Sequence, residues 1–346
     1  MASHPLATRP RCQRGAALLT AMIIVVLIVT LASSMVWQQW RAVQVEVAER
    51  ARSQSAWILS GALDWARLIL REDGRGKSAS VDHLGEPWAV PLAEARLSTF
   101  LAADKNNTDD DGPEAFLSGS ISDAQARYNV TNLVDQAKGI IDPFEFAAFE
   151  RLCQNLGVDA AVAALIAGGL RDALAPAGSG SANAPLLPQS VAQLSWLGVD
   201  AASLEQLTPY IVVLPVATPV NVNTASAEVL VAVIKGNDHA TAERLLQVRQ
   251  GTPFEDLTKF WAQVPGLKPA PAAASPQATP GSPPPAAASP QPNLSVNSSF
   301  FEVRGRLRLS DRVLEESSLV QRVQGRQVDV LRRERVASRE DSPPAK

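Results

Sequence analysis

The first feature of the hydrophobic pattern is an unbroken apolar run, "AALLTAMIIVVLIVTLASSMV", over residues 16–36. It contains no charged residue, glycine or proline, and its length matches the ~20 residues with which a helix crosses a bilayer. Arg9, Arg11 and Arg14 precede it without any acid, which predicts that this end stays in the cytoplasm. Residues 30–35 resemble a signal-peptide cleavage site, so a cleaved secretory signal stays open as the alternative.

A helical period continues beyond the apolar run through "RAVQVEVAERARSQSAWILSGALDWARLILRED". The apolar residues on one helical face of this stretch are Leu59, Ala62, Leu63, Ala66, Ile69 and Leu70. We therefore predict one helix over residues 16–72, about 80 Å long, with this face packed against a folded head. Trp37 and Trp40 suit a membrane–water boundary, and Trp57 and Trp65 are predicted to pack in a core.

The middle of the chain changes from irregular to helical. Residues 74–118 predict loops with one short helix over residues 92–102. Residues 142–264 predict an all-helical unit of short hairpins in two related halves. Side chains that cap helices mark the expected starts and ends. These are Asp142 with Pro143 and a capping-box Glu145, Ser190 with Gln193, Thr224 with Glu228, Gly251 as a C-cap, and Thr252 with Pro253 and Glu255.

The composition changes again at residues 268–293, where proline, alanine and serine dominate. Such a segment cannot bury enough apolar surface to fold, and it predicts a disordered linker. Beyond it the period becomes two, because in "SFFEVRGRLRL" apolar residues alternate with Glu302 and three arginines. We predict antiparallel strands over residues 294–336, turning near Gly325, and a disordered tail over residues 337–346.

Composition and charge exclude several function classes. A net charge of −3 in 346 residues gives no sign of a nucleic-acid or anionic-surface partner. Cys12 lies in the basic N-terminal stretch, and Cys153 is predicted to be a small buried apolar residue. One remaining thiol and scattered histidines indicate neither a zinc site nor a Cys/His nucleophile, so no catalytic residue is assigned. The loop 104–112, "DKNNTDDDG", is rich in oxygen ligands but lacks the EF-hand glycine; a solvated acidic loop is favoured over calcium.

One glycine bears on how the apolar run is processed. Gly15 stands directly after basic residues and directly before the run, and "QRGAALLTAMIIVV" resembles the leader of type IV pilin-like proteins. The resemblance implies cleavage between Gly15 and Ala16 by prepilin peptidase, methylation of the new Ala16 amine, and an apolar helix that stays on the mature chain. The sequence departs from the pattern at the fifth mature position, where pilins carry Glu and this chain has Thr20.

The order of the predicted elements resembles the protein K family of minor pseudopilins from type II secretion systems. The stretches that carry the resemblance, besides the leader, are "GSISDAQARYNVTNLVD", "PVNVNTASAEVL" and "SVNSSFFEVRGRLRL". It implies an α+β fold with a long N-terminal membrane-spanning helix, a pilin-like α/β head with antiparallel strands, and a large all-α inserted domain of helix-hairpin-helix or SAM-like type. The expected parts are the leader 1–15, the spine helix 16–72, the first part of the head 73–135, the insert 136–267, the linker 268–293, the last strands of the head 294–336 and the tail 337–346.

The same resemblance implies a non-enzymatic subunit that caps or initiates the periplasmic pseudopilus, which drives export of folded proteins across the outer membrane. Implied partners are minor pseudopilins I and J, the major pseudopilin and prepilin peptidase. The implied location is the inner membrane, crossed once, with the bulk of the chain in the periplasm. No cofactor is implied as a requirement, and calcium is implied in the head without ligands that can be assigned.

Thr20 then has a physical interpretation. In pilin-like filaments Glu at this position pairs with the amine of a neighbouring subunit, and a carboxylate within hydrocarbon is costly unless it meets a partner. A subunit at the tip has no earlier neighbour, so Thr20 lets it dispense with the carboxylate. The alternative is a tolerated polar residue whose hydroxyl bonds back to the helix backbone.

Three other functions compete with this interpretation. "VNVNTASAEVL" and the residues after it resemble the helix-hairpin-helix repeats of competence DNA receptors, but residues 219–264 carry four Lys/Arg against five Asp/Glu. The turn "IKGNDHA" contains only Gly236, and Asp238 stands where a phosphate would be repelled, so we expect no nucleic-acid partner. The second alternative is a membrane-anchored enzyme. The sequence contains no GxSxG, HExxH or P-loop motif that would support it. A minor pilin of a type IV pilus shares the leader, and the helical insertion argues against it.

Overall fold

The structure is a computed structural model that describes residues 14–75, 80–97, 115–174, 185–267, 292–309, 312–323 and 327–339 of the chain. It divides into two compact units, Met1–Ile58 and Leu59–Lys346, which are described separately. The acidic loop 104–112 and nearly all of the predicted linker lie outside the described residues. Their predictions therefore stay predictions.

The first unit consists of the helix α1, which spans Arg14–Asp73 and continues into the second unit. All large hydrophobic side chains from Leu18 to Trp40 are more than half exposed. Among the described residues this is the one helix that is long and apolar enough to cross a membrane, with a mean hydropathy of 2.6 over its most apolar window. The single helix predicted over residues 16–72 is confirmed.

The strands in the described residues are short in the middle of the chain and long at its end. They are β1 Leu92–Arg96, β2 Ala115–Asp123, β3 Tyr128–Asn129, β4 Val134–Asp135, β5 Ile140–Ile141, β6 Ile211–Val212, β7 Val220–Asn221, β8 Leu294–Ser295, β9 Phe300–Leu309, β10 Arg312–Val323 and β11 Gln327–Arg339. Five of them form one antiparallel sheet in the order β1-β2-β9-β10-β11. The predicted α+β fold class is confirmed.

Two predictions about the ends of this sheet are wrong. Residues 92–96 form the edge strand β1, not the start of a helix, because their backbone pairs with β2 and places Ala95 opposite Leu117. Ladder hydrogen bonds there override the helix propensity of Leu, Ala, Glu and Arg. At the other edge β11 runs to Arg339, so the predicted tail begins at least three residues too early.

One face of α1 packs on the sheet in the second unit. Leu63, Ala66 and Leu70 form a core with the sheet residues Phe301, Val303, Val320 and Val328, and with Trp88. The rings of Trp88 and Phe301 meet edge to face at 5.2 Å between centroids. A Cβ added at Gly305 would lie 3.3 Å from Leu59 Cδ2, so glycine permits the close approach of helix and strand. The predicted apolar face of α1 and the alternation along β9 are both confirmed.

The core prediction for two tryptophans of α1 is wrong. Trp57 is 79% exposed and Trp65 is 52% exposed. At about 100° per residue both lie on the side of α1 opposite the buried face, together with Leu68. Their aromatic surface is therefore not used by the core of the head.

The helices of the insert follow in chain order between β5 and β8. They are α2 Pro143–Asn155, α3 Ala160–Leu174, α4 Ala201–Leu207, α5 Ala227–Val233, α6 His239–Gly251 and α7 Leu257–Gln263, with a 3-10 helix over Val191–Leu197. Phe149, Ile166, Leu230 and Phe260 are fully buried in their common core. Cys153 lies in the same core, as predicted. The parallel pairs β3–β6 and β7–β8 add short strands that an all-helical prediction missed.

The first predicted cap of the insert is partly right. The carboxylate of Asp142 accepts hydrogen bonds from Phe144 N and Glu145 N, and Pro143 occupies the first turn, as predicted. The capping box is wrong, because Asp142 N donates to Leu133 O and Glu145 Oε2 instead accepts from Tyr128 Oη.

The later caps shift by a few residues. The N-cap of α5 is Ser226 and not Thr224, and the N-cap of α7 is Asp256 and not Thr252. Gly251 is the last residue of α6 and not its cap. The segment after Ser190 winds as a 3-10 helix in which Ser190 makes no side-chain cap.

Candidate functional site

The predicted processing site lies at the start of α1. The helix begins at Arg14, so Gly15 and Ala16 belong to its first turn, and Thr20 lies about one turn beyond Ala16. Thr20 has an interaction partner and is not a free hydroxyl. Farther along, Thr30 Oγ1 donates to Leu27 O at 2.9 Å, which shows how this helix satisfies a hydroxyl internally.

A buried carboxylate joins the head to the insert. Asp123 ends β2 and is 4% exposed. Its Oδ2 accepts hydrogen bonds from Asn221 Nδ2 at 3.0 Å, Thr224 Oγ1 at 2.6 Å and Ser298 Oγ at 2.6 Å. Burial raises the pKa of Asp123, and these donors oppose that shift. Three chain segments far apart in sequence therefore meet at one side chain.

A second buried group ties the end of α1 to the sheet. Arg322 on β10 donates to Asp73 Oδ2 at 2.7 Å and to both carboxylate oxygens of Asp82 at 2.6 Å. Its guanidinium also lies over the ring of Phe301, 5.0 Å from the centroid. Burial raises the pKa of Asp82 to about 6, although Arg322 acts in the opposite direction.

The carboxylates around Arg322 are the described group that most resembles a metal site. Oxygens of Asp73, Asp82 and Glu86 lie within 4.8 Å of one another. Calcium takes six to eight oxygen ligands, whereas a guanidinium already occupies the space between Asp73 and Asp82. The cluster therefore fits an arginine and not a calcium ion, and the calcium implied by the family resemblance stays a prediction without ligands.

The carboxylate of Glu86 is only partly hydrogen-bonded in this cluster. Its Oε2 accepts from His83 N at 3.0 Å and from Trp88 Nε1 at 2.7 Å, while its buried Oε1 has no hydrogen-bond partner in the described residues. Burial raises the pKa of Glu86 to about 7. The proton thus stays on this side chain at a pH where an exposed Glu is ionised.

The hairpin turn at Gly236 places a carboxylate at the start of α6. Gly236 takes a left-handed conformation with φ of 84°. Asp238 caps α6 by accepting from Thr241 N at 2.7 Å. A carboxylate therefore occupies the helix terminus where a phosphate would have to bind.

Two segments of the chain match family models. Residues 126–216 match the first-domain model described as type II secretion system protein K, and residues 220–279 match a second model of the same description. Type II secretion system protein K of Pseudomonas aeruginosa is 30% identical over 283 residues, covering 73% of this chain and 78% of the relative. The chain belongs to the type II secretion system protein K family. The Klebsiella pneumoniae member is 29% identical and spans 93% of this chain and 96% of its own.

The fold agrees with a solved structure of this family. A chain in the crystal structure of the GspK-GspI-GspJ complex from enterotoxigenic Escherichia coli matches with a TM-score of 0.60 and 22% identity. The match covers 84% of this protein K chain and 99% of the solved chain. It supports the same arrangement of head and insert.

The boundary between the two matched ranges lies at residues 216–220, and side-chain amides fix the backbone there by hydrogen bonds. Asn129 Nδ2 donates to Val216 O at 2.8 Å, and Asn132 exchanges hydrogen bonds with the backbone of Thr218. These asparagines belong to two similar sequence stretches, "NVTN" at residues 129–132 and "NVNT" at residues 221–224. In each copy the first Asn accepts from the backbone two residues on, Thr131 N for Asn129 and Asn223 N for Asn221.

Proposed function

We propose that this protein K chain is an inner-membrane minor pseudopilin that initiates or caps the periplasmic pseudopilus. The observation that supports this best is the combination of a pilin-like head, whose central strands β2 and β9 are adjacent in the sheet, with a large helical insert between them in sequence. The resemblance to a chain from a GspK-GspI-GspJ complex supports proteins I and J as direct partners. The major pseudopilin is the partner below them.

The apolar part of α1 is the proposed anchor. Its exposed hydrophobic side chains from Leu18 to Trp40 suit a lipid environment, and the arginines before it favour a cytoplasmic N-terminus. The bulk of the chain then lies in the periplasm. Prepilin peptidase is proposed to cut between Gly15 and Ala16 and to methylate the new amine.

The position of Thr20 supports a place at the tip. A subunit inside the filament benefits from a carboxylate that pairs with a neighbour's amine, and an unpaired carboxylate in hydrocarbon is costly. Thr20 avoids that cost, and a polar hydroxyl is easily satisfied within a helix. The bulk of the insert adds a steric reason, since it hinders the stacking of another subunit above this one.

The role is proposed to be structural and not catalytic. Asp123 and Arg322, two of the buried polar groups, serve as ties between chain segments. Asp238 at the hairpin turn disfavours a nucleic-acid role. The proposed function of this chain is then to bind other subunits and not to catalyse a reaction.

The direct test is affinity purification of the tagged full chain from detergent-solubilised membranes of cells that also produce proteins I, J and the major pseudopilin. The expected result is a complex that holds I and J. Thr20→Val should leave that complex intact, because the tip position needs neither carboxylate nor hydroxyl. Failure to recover I and J with the wild-type chain would refute the proposal, and loss of the complex in T20V alone would refute the account of Thr20.

A further inference from the structure

A lone cation stands just beyond the apolar part of α1. Arg41 is the only charged residue between Gly15 and Val45, and it follows the uncharged run 16–36 by five residues. The next charged residue is Glu46. The whole chain has a net charge of −3, but this part of α1 is locally positive. The local charge at the end of the apolar run therefore favours an anion.

Arg41 differs from the arginines that follow it on α1, because it has no carboxylate partner among the described residues. Arg50 Nε donates to Glu46 at 2.7 Å, and Arg52 donates to Glu49 at 3.0 Å. A helix brings together side chains three and four positions apart, and none of those positions around Arg41 holds an acid. Arg41 is also exposed, so its donors are open to a ligand from outside.

Two tryptophans lie on the same side of α1 as Arg41. Trp37 precedes it by one helical turn, and the guanidinium carbon of Arg41 lies 5.5 Å from the centroid of the Trp37 ring. Trp40 lies three residues after Trp37, and the two side chains are 58% and 61% exposed. Tryptophan is enriched where a membrane helix meets the lipid headgroups. An aromatic pair and a free cation thus share one place on the helix.

Helix geometry gives the depth of these side chains in a bilayer. At 1.5 Å per residue the run 16–36 spans about 30 Å, which matches the hydrocarbon core. Trp37 then lies at the edge of the hydrocarbon, and Arg41 lies about 6 Å farther out. The headgroup layer on each side of the core is roughly 5–8 Å thick. The guanidinium of Arg41 therefore reaches the level of the lipid phosphates.

We propose that Arg41, together with Trp37 and Trp40, binds the phosphate of an acidic phospholipid in the periplasmic leaflet. The inference rests on the membrane anchor proposed above and names its lipid partner. The planar guanidinium donates two parallel N–H bonds to the phosphate oxygens. The indole rings pack against the glycerol end of the acyl chains. An acidic headgroup is favoured because the ammonium of a zwitterionic headgroup competes with Arg41 for the same phosphate.

The test measures lipid retention by the full chain in detergent, using native mass spectrometry after addition of phosphatidylglycerol or phosphatidylcholine. Arg41→Gln should weaken the retention of phosphatidylglycerol about fivefold, as expected for one arginine at a lipid surface, and change that of phosphatidylcholine less than twofold. Arg50→Gln is the matched control, because Arg50 is an exposed arginine of the same helix that already pairs with Glu46. It should retain both lipids like the wild type.

The readout is the difference between variants, because the arginines before the apolar run also attract acidic lipid in a chain that keeps its leader. Unchanged retention of phosphatidylglycerol in R41Q would overturn the proposal. An equal loss in R41Q and R50Q would do so as well, because it would show a response to total charge and not a site at Arg41.

A second measurement separates failure of this site from failure of the anchor. The wild type, R41Q and W37F/W40F are reconstituted in vesicles whose lipids carry bromine on the acyl chains near the glycerol, and tryptophan emission is recorded. The expected result is quenching in the wild type and in R41Q, and much less in W37F/W40F. No quenching in the wild type would refute the anchor and the lipid site together. Quenching without the effect of R41Q on lipid retention would refute the lipid site alone.

Discussion

The hydroxyl of Thr224 donates a 2.6 Å hydrogen bond to the buried carboxylate of Asp123, across 101 residues of sequence. Thr224 lies in the insert just before α5, and Asp123 ends β2 of the head. Asn221 and Ser298 donate to the same oxygen, so the start of the C-terminal strands is tied in as well. The insert is therefore joined to the head by specific polar contacts and not only by chain connectivity.

Removal of the Thr224 donor is expected to weaken this junction. Thr224→Val keeps the shape of the side chain but leaves a buried acceptor short of one partner, and we expect a loss of about 1–3 kcal/mol in unfolding free energy. Thr208→Val is the matched control, because Thr208 is exposed and its hydroxyl bonds back to Leu204 O of its own helix. Chemical denaturation followed by tryptophan fluorescence measures both, and equal stability of the two variants would contradict the role given to Thr224.

Arg322 is expected to be the most sensitive arginine of the head. Arg322→Met leaves Asp73 and Asp82 without their cation, and breaking a buried ion pair from one side costs about 3–5 kcal/mol. Arg304→Met removes an arginine that is half exposed and whose ion-pair partner among the described residues is Glu302, so about 0–1 kcal/mol is expected. Thermal melts compare them, and a wild-type melting temperature for R322M would show that the cluster does not hold α1 to the sheet.

The same cluster predicts how stability depends on pH. Burial raises the pKa of Glu86 in the folded chain to about 7, above the value of 4.5 for an exposed Glu. The folded state then binds the proton more tightly, so the stabilisation is complete below pH 4.5 and is lost as the pH rises through 7. The melting temperature should therefore fall between pH 5 and pH 8.

Glu86→Gln is expected to flatten that decline. Between pH 5 and pH 8, the contribution of Glu86 to the unfolding free energy should change by on the order of 1–3 kcal/mol. A residual slope should persist, because the pKa values of Glu145 and Asp82 are raised in the same direction. Glu205→Gln, at an exposed position of α4, serves as the control. A slope in E86Q equal to that of the wild type would contradict this assignment.

Trp65, one of the exposed tryptophans of α1, predicts a contact with another subunit. Trp65→Ala should leave the melting temperature within a few degrees of the wild type, because the side chain is 52% exposed. Recovery of proteins I and J with the full chain should fall about tenfold, as expected for an aromatic anchor in an interface. Trp196→Ala, at an equally exposed tryptophan of the insert, should leave that recovery unchanged. Loss of recovery in both variants, or in neither, would contradict a partner surface on α1.

The sequence was most informative where a period persists. The face of α1 with Leu63 and Leu70 and the alternation along β9 each predicted their packing correctly, because burial on one face leaves a regular trace. Local signals failed where tertiary contacts compete with them. Residues 92–96 have helix propensity but complete the edge of the sheet, and Thr224 resembles a cap but bonds across the junction.

The candidate sites differ in the same way. Gly15, Ala16 and Thr20 were assigned from the resemblance of the N-terminal stretch to pilin-like leaders, which is visible along the chain, and their roles stay predictions. The cluster of Arg322 and Asp82 spans 240 residues of sequence, and nothing in either local sequence indicates the pairing.

The central claim is that the first apolar segment survives maturation as a membrane anchor, cut after Gly15. Intact-mass and N-terminal peptide mass spectrometry of the chain purified from membranes, with and without prepilin peptidase, tests it most directly. The account predicts a mature chain that begins at Ala16, with a methylated amine, and an uncut chain in cells that lack the peptidase. A mature chain that begins near Met35 would contradict it, as would cleavage that does not need the peptidase.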